Sequence, residues 1–177
     1  MAKRITVIGT GYVGLVSSVG LADFGNYVTG VDINESIVKQ LNEGKPHIYE
    51  HGLTEYLTRN VEGERLSFST DVAGSIRDAE IVFLAVGTPS TASGGADLTQ
   101  IESAVDTIAQ NLNGFKVIVT KSTVPVGTNR WISDQLREKT GGDNYAVVSN
   151  PEFLREGKAV QDFFHPDRIV IGYERPE

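Results

Sequence analysis

Short β-branched runs recur along the chain, separated by stretches whose apolar residues fall three and four apart. ITVIG (5–9), YVTGVD (27–32), LSFST (66–70), IVFLAVG (81–87), KVIVTK (116–121), YAVVSN (145–150) and RIVIG (168–172) read as strands. Several are apolar at consecutive positions, the pattern of a parallel sheet covered on both faces. Residues 12–24 read as a helix that stops at Gly25-Asn26. NESIVKQLNEG (34–44) has Asn34 as its N-cap, with Ile37, Val38 and Leu41 on one face. Over 99–112, Ile101, Val105, Ile108 and Leu112 recur at helical spacing, and a further helix spans about 128–139 before the turn TGGDN. This alternation predicts an α/β fold: a doubly wound, mostly parallel Rossmann-type sheet with helices on both faces. The long irregular pieces are GKPHIYEHG (44–52) and GTPSTASGGAD (87–97). The second follows a strand, where loops of this fold line the ligand crevice.

The first strand runs into GTGYVG, residues 9–14. A lone GxGxxG is weak, but here a strand precedes it, a helix follows, and an acid ends the next strand. Gly9 would make the tight turn, Gly11 would admit a pyrophosphate, and Gly14 would let helix and strand pack closely. Asp32 would accept hydrogen bonds from the adenosine ribose and repel a 2′-phosphate. DINES supplies no Arg or Lys to hold such a phosphate, so NAD is expected rather than NADP. The alternative is a glycine turn with an acidic helix cap. The same fold also serves in nucleotide-sensing domains, so the motif alone does not separate an enzyme from a sensor.

Two later segments carry candidate chemistry. In KSTVPVGT (121–128), Ser122 and Thr123 sit where a strand ends, and Pro125 forbids its continuation. Their hydroxyls suit a nicotinamide amide, a substrate oxygen or a water; the alternative is a helix N-cap. In SNPEFLREG (149–157), a helical backbone would bring Glu152 and Glu156 onto one face. Paired carboxylates in a crevice would raise one pKa and furnish a base or a water-orienting group. A solvated helix with Asn150 as cap and Pro151 at its first position explains the same residues.

Composition narrows the partners. The 177 residues are 40% hydrophobic and 22% charged, with a formal net charge of −7, ordinary for a soluble domain and unlike a nucleic-acid or anionic-membrane surface. No apolar run approaches the roughly 20 residues that span a bilayer, and MAKRITVIGTG enters a strand too soon to be a signal peptide. There is no cysteine, which removes disulfides and thiol nucleophiles from these residues and fits a cytoplasmic setting. His47, His51 and His165 have no metal-ligand spacing, so no metal is expected. Trp131 reads as helix packing or surface contact, and Asp167-Arg168 as an ion pair or turn before the last strand.

GTGYVGLV, GVDINE, KPHIYEHGL, VGTPS, KSTVPVGT, SNPEFLREG and HPDRIVIG occur in the order seen in nucleotide-sugar dehydrogenases. The chain resembles the N-terminal NAD-binding domain of the UDP-glucose/GDP-mannose dehydrogenase family over essentially all its residues. Similar blocks occur in enzymes acting on GDP-mannose and UDP-N-acetylmannosamine, and the IYE-x-GL loop leans toward UDP-glucose. The resemblance implies oxidation of the sugar C6 alcohol to an acid by two hydride transfers to NAD, through a cysteine-bound thioester. Thr123 and Glu152 match the residues that hold a catalytic water. Gly9, Thr10, Gly11, Tyr12, Val13, Gly14, Asp32, Thr88, Ser122 and Glu156 match cofactor positions. Glu152, Phe153, Leu154, Arg155 and Glu156 match the strip bordering the sugar. Ile37 stands where relatives often carry a Lys or Arg near the ribose. The resemblance further implies that 1–177 is the cofactor domain alone, inactive by itself, because the family's central helix, nucleophilic cysteine and UDP-binding domain lie beyond Glu177. Full-length relatives commonly form homodimers through that helix. A stand-alone NAD-sensing module is the reading from a different class.

Overall fold

The computed structural model describes residues 1–174. Its elements run β1 (Arg4–Ile8), α1 (Tyr12–Asp23), β2 (Tyr27–Val31), α2 (Glu35–Asn42), α3 (Leu53–Glu62), β3 (Leu66–Ser69), α4 (Val72–Asp78) and β4 (Ile81–Leu84). They continue with α5 (Thr99–Asn111), β5 (Lys116–Thr120), α6 (Thr128–Thr140), β6 (Tyr145–Ser149), α7 (Ala159–Phe164) and β7 (Gly172–Tyr173). One seven-stranded sheet has the order β3-β2-β1-β4-β5-β6-β7, parallel except for β7. The chain starts in the middle, winds outward through β2 and β3, then crosses back to β4. The crossover opens a crevice above the carboxyl ends of β1 and β4, the switch point where this architecture binds ligands.

Two apolar cores lie on opposite faces of the sheet. In one, Leu15, Val16 and Val19 of α1 pack with Leu41, Leu53, Leu57 and Ala159 against Val7 and Val28. In the other, Ile76, Ile101, Val105, Ile108, Ile132 and Leu136 pack on Val82, Leu84 and Ile118. Four consecutive residues of β1, Ile5 to Ile8, are therefore buried, the polar Thr6 among them, as expected of a strand covered on both faces. Helix α1 is buried from Gly14 to Gly20, because the sheet lies on one side and α3 and α7 on the other. Trp131 packs against the second core, and the Asn34 side chain caps α2 through the Ser36 and Ile37 N–H groups.

The structure departs from the sequence reading of the elements at several points. Helices α3, α4 and α7 add to the four that periodicity identifies. Strands end one to three residues before the expected boundary at the crevice side, where the chain leaves the ladder to form loops. Residues 168–171 of the expected last strand lie outside the ladder with Ile169, Val170 and Ile171 exposed; only Gly172 and Tyr173 pair, antiparallel to β6. Arg168 forms no ion pair with Asp167 among the described residues, and instead lays its guanidinium over the Phe153 ring at 4.7 Å.

Candidate functional site

The glycine turn is shaped by contacts with β2 and β4. Gly9 has φ +96°, its N–H donates to the Val31 carbonyl (2.8 Å), and a Cβ there would meet the Ala85 oxygen at 2.6 Å. At Gly14 an added Cβ would come within 1.9 Å of the Gly9 oxygen, so α1 crosses the turn at a distance that excludes any side chain. Gly11 is different: nothing lies within 4 Å of its Cβ position. It precedes a 12-residue helix whose N-terminus has no side-chain cap. The first-turn N–H groups of α1, including those of Tyr12 and Val13, are thus open to an anion.

Asp32, just beyond β2, reaches back to this turn. Its Oδ2 accepts from the Thr10 N–H (3.2 Å) and hydroxyl (2.6 Å), and its Oδ1 accepts from the Asn34 N–H (3.0 Å). Burial raises its pKa, but the hydrogen bonds from Thr10 and Asn34 outweigh that and hold it below the ordinary carboxylate value. An ionised carboxylate has about four acceptor positions. Three are taken, which leaves one, on Oδ1. A cleft of about 430 Å³ beside it is lined by Gly9, Asp32, Ile33, Val86, Gln100 and Thr107, among others.

The loops after β4 and β5 are tied together. The Thr88 hydroxyl donates to the Thr123 carbonyl (2.7 Å), and the Ser122 hydroxyl donates to the Val86 carbonyl (2.7 Å). Ser122 therefore anchors the loop and retains only its acceptor capacity, whereas Thr123 is exposed. After β6 the chain from Pro151 to Arg155 is irregular, and the next helix begins only at Ala159. The helical reading of Glu152 and Glu156, and with it their shared face, does not hold. Asn150 is not a cap: it accepts from Lys121 Nζ (3.1 Å) and donates to the Val170 carbonyl (2.9 Å). Glu152 is half-buried and accepts from the Leu154 N–H (2.6 Å). Phe153 and Glu156 are exposed, and Leu154 packs on the first core. The Arg155 guanidinium is held by Asp162 (2.6 Å). A cleft of about 380 Å³ is lined by Lys121, Asn150, Glu152, Phe153, Arg168 and Ile169, among others.

A family model for the UDP-glucose/GDP-mannose dehydrogenase family, NAD binding domain, matches residues 3–177. The chain belongs to this family. The UDP-glucose 6-dehydrogenase TuaD of Bacillus subtilis is 48% identical over 96% of the chain, and a UDP-glucose 6-dehydrogenase of Rhizobium meliloti is 49% identical over 97%. Among solved structures, a UDP-glucose dehydrogenase from Pyrobaculum islandicum superposes with TM-score 0.94 at 44% identity over 99% of the chain. A GDP-mannose dehydrogenase from Pseudomonas aeruginosa superposes with TM-score 0.92 at 35% identity over 97%. The chain spans 37% and 39% of the first two proteins and 41% of each of the two structures.

The family's NAD-binding domain is therefore the identity of this fold, and its geometry fits the cofactor. Open space over Gly11, uncapped N–H groups on α1 and a free acceptor on Asp32 suit a pyrophosphate and an adjoining ribose hydroxyl. Ile33 is 90% exposed, and Asn34 spends its side-chain oxygen on the α2 cap, so neither residue that follows Asp32 offers a 2′-phosphate a cation; the nearest basic influence on Asp32 is the His47 imidazole. Three polar residues escape the sequence reading as site components. Lys121 is 8% exposed, and burial lowers its pKa against the opposing influence of Glu152. As the last residue of an apolar run it looks like a strand terminator. Asn150 looks like a cap. Glu50 lies in a loop and looks solvated, yet it is 5% exposed. Only tertiary contacts reveal these three.

Proposed function

We propose that these 177 residues are the cofactor-holding part of a longer cytoplasmic nucleotide-sugar dehydrogenase that oxidises UDP-glucose at C6 to UDP-glucuronate. One observation carries the reading. The glycine turn and Asp32, the Ser122–Thr123 loop and the Glu152–Glu156 strip all leave the same carboxyl edge of the sheet. A sensor of NAD needs only the first pair. The names of the similar proteins support UDP-glucose, and the GDP-mannose dehydrogenase likeness makes that sugar nucleotide the comparison to run. No helix among the described residues is long and apolar enough to cross a membrane, and the lack of cysteine is compatible with a reducing compartment.

In the net reaction the CH2OH carbon gains one water oxygen, loses two hydrides and becomes a carboxylate, with three protons released. NAD, when bound, supplies the hydride acceptor for each oxidation. The residues of this chain bind, orient and move protons. The α1 N–H groups beyond Gly11 hold the pyrophosphate, and Asp32 accepts from a ribose hydroxyl. Gly9, Thr10 and Gly14 shape the turn, while Val13, Thr88, Ser122 and Glu156 border the cofactor. Thr123 and Glu152 orient a water near C6 that carries away the alcohol proton and later serves hydrolysis. Phe153, Leu154, Arg155 and Glu156 flank the sugar; Arg155 does so through its backbone, since Asp162 holds its guanidinium. The nucleophilic thiol, the uridine contacts and the homodimer interface belong to the remaining part of the protein.

The test is the full-length protein with NAD and each of UDP-glucose, GDP-mannose and UDP-N-acetylmannosamine. Two NADH per UDP-glucose are expected, with slower turnover of the other two. Faster oxidation of either competitor would reassign the substrate. Tight NADH binding without turnover of any of the three would favour the sensor. Residues 1–177 alone should bind NADH and form none from UDP-glucose.

A further inference from the structure

Glu50 lies in the irregular segment between α2 and α3, in no strand or helix, and is nearly inaccessible to solvent. Its bonds all come from neutral donors. The Gly157 N–H donates to Oε1 at 2.5 Å and the Ala159 N–H to Oε2 at 3.0 Å, while the Tyr12 hydroxyl also donates to Oε1. A carboxylate taken out of water needs such donors, because it would otherwise be strongly destabilised. The Tyr12 oxygen is also 3.1 Å from the Arg155 carbonyl, but its single proton goes to the charged acceptor, the stronger of the two. Burial and the Glu50 charge both push the Tyr12 phenol above its usual value, so it stays a donor throughout the physiological range.

These three donors come from the two halves of the site. Tyr12 is the first residue of α1, directly after Gly11 in the glycine turn. Gly157 follows directly on Glu156, and Ala159 opens α7. The strip between Asn150 and Gly157 has no ladder partner. It is fixed at its start by Asn150, which joins Lys121 to Val170, and at its end by Glu50. Arg155 and Asp162 bind each other within the same unit, so they stiffen it without locating it against the cofactor turn. Packing of Ala159, Val160 and Phe163 on the first core would keep α7 in place without Glu50, and Leu154 would still hold the middle of the strip, but the end at Glu156 and Gly157 would lose its tie to the cofactor turn.

We propose that Glu50 is a positioning residue that sets the Glu152–Glu156 strip at working distance from the cofactor turn, acting through Tyr12 and the amides of Gly157 and Ala159. This rests on the reading of the strip as the sugar- and nicotinamide-facing edge of the site. Glu50→Gln keeps the side-chain size but turns one acceptor into a donor that faces N–H or O–H groups. The strip then relaxes by a fraction of an ångström to an ångström, a displacement that costs about 100-fold when reacting groups are concerned.

The experiment uses the full-length protein with NAD and UDP-glucose, and reports kcat per NADH-binding site so that unfolded protein does not count. For Glu50→Gln, kcat should fall roughly 10- to 100-fold, with the NADH dissociation constant and the KM for UDP-glucose changed by less than about threefold. Tyr12→Phe should lower kcat less, and the double variant should be no worse than Glu50→Gln, as expected for residues acting through one hydrogen bond. A kcat within twofold of native, or losses that multiply in the double variant, would overturn the proposal. Should the native protein bind NADH but oxidise no nucleotide sugar, the substrate reading fails separately. Hydrogen exchange then decides the rest: the Gly157 and Ala159 amides must exchange at least about tenfold faster in Glu50→Gln at unchanged NADH affinity, and unchanged exchange rejects the positioning role of Glu50.

Discussion

At Asp32 two opposing influences meet, and hydrogen bonding wins over burial. The carboxylate is ionised and oriented before any ligand arrives, because Thr10 fixes one oxygen and Asn34 part of the other. Removing it would cost the proposed ribose contact and release all three donors. Hydrogen bonds to charged groups contribute about 1.5–3 kcal/mol, so Asp32→Ala should weaken NADH binding roughly 10- to 100-fold by fluorescence titration; an unchanged dissociation constant would place the ribose elsewhere. The second and third glycines of the turn separate folding from binding in a similar way. Gly11 has an ordinary φ of −63° and open space at its Cβ, so Gly11→Ala should keep the native Tm while it obstructs the phosphates. Gly14→Ala pushes a methyl group into the Gly9 carbonyl. Overpacking of this kind costs roughly 1–3 kcal/mol, and Tm should fall roughly 2–12 °C in thermal unfolding. Equal Tm values for the two variants would contradict the close crossing of α1 over the turn.

Helix α7 shows what an element gains from contacts outside itself. It has six residues and no side-chain cap of its own, and it follows a strip without regular structure. Asp162 on α7 receives the Arg155 side chain and backbone N–H, and these bonds hold its carboxyl down at about 2. A depressed carboxylate contributes stability above its unfolded pKa, and that contribution disappears as pH falls through the folded value. The window is therefore from about pH 4 to pH 2. Asp162→Asn should flatten the dependence of Tm on pH in that range and change little at pH 7 beyond a constant offset; an acid limb identical to native would show that the pair does not form in solution. Periodicity fails at this element for a physical reason. Six residues give fewer than two turns, and Pro151 with Glu152 supplies a plausible start that the chain does not use. At 53–62, Leu53, Leu57 and Asn60 face inward, a stripe interrupted by a polar residue. The run at 169–171 illustrates the reverse error: β-branched side chains report a preference for burial, and the pattern cannot say whether a ladder partner lies within reach. The strands that are buried on both faces, by contrast, are legible from sequence to within three residues.

The whole molecule concentrates its chemistry on one edge. Strand order puts the ends of β1, β2, β4, β5 and β6 side by side, so loops separated by more than a hundred residues share one crevice. Sequence order alone placed the glycine turn, Asp32 and the two signature loops there, since each follows a strand in a fold whose binding edge is known from topology. It could not place Lys121, Asn150 or Glu50, whose partners are 29, 20 and 107 residues away. A cofactor lying along that edge touches both halves of the sheet and must stabilise them together. For a ligand that binds only the folded state, a hundredfold excess over the dissociation constant contributes about 2.7 kcal/mol. In a chain of this size that is a Tm increase of roughly 5–11 °C. NADH should produce such an increase in residues 1–177, and NADPH at equal concentration should produce a much smaller one. The difference comes from charge: the 2′-phosphate would approach the Asp32 carboxylate, held ionised by Thr10 and Asn34, with the exposed Ile33 alongside where a cation would be required. Equal shifts from the two cofactors would mean that the phosphate finds another cation, and would remove Asp32 as the discriminating group.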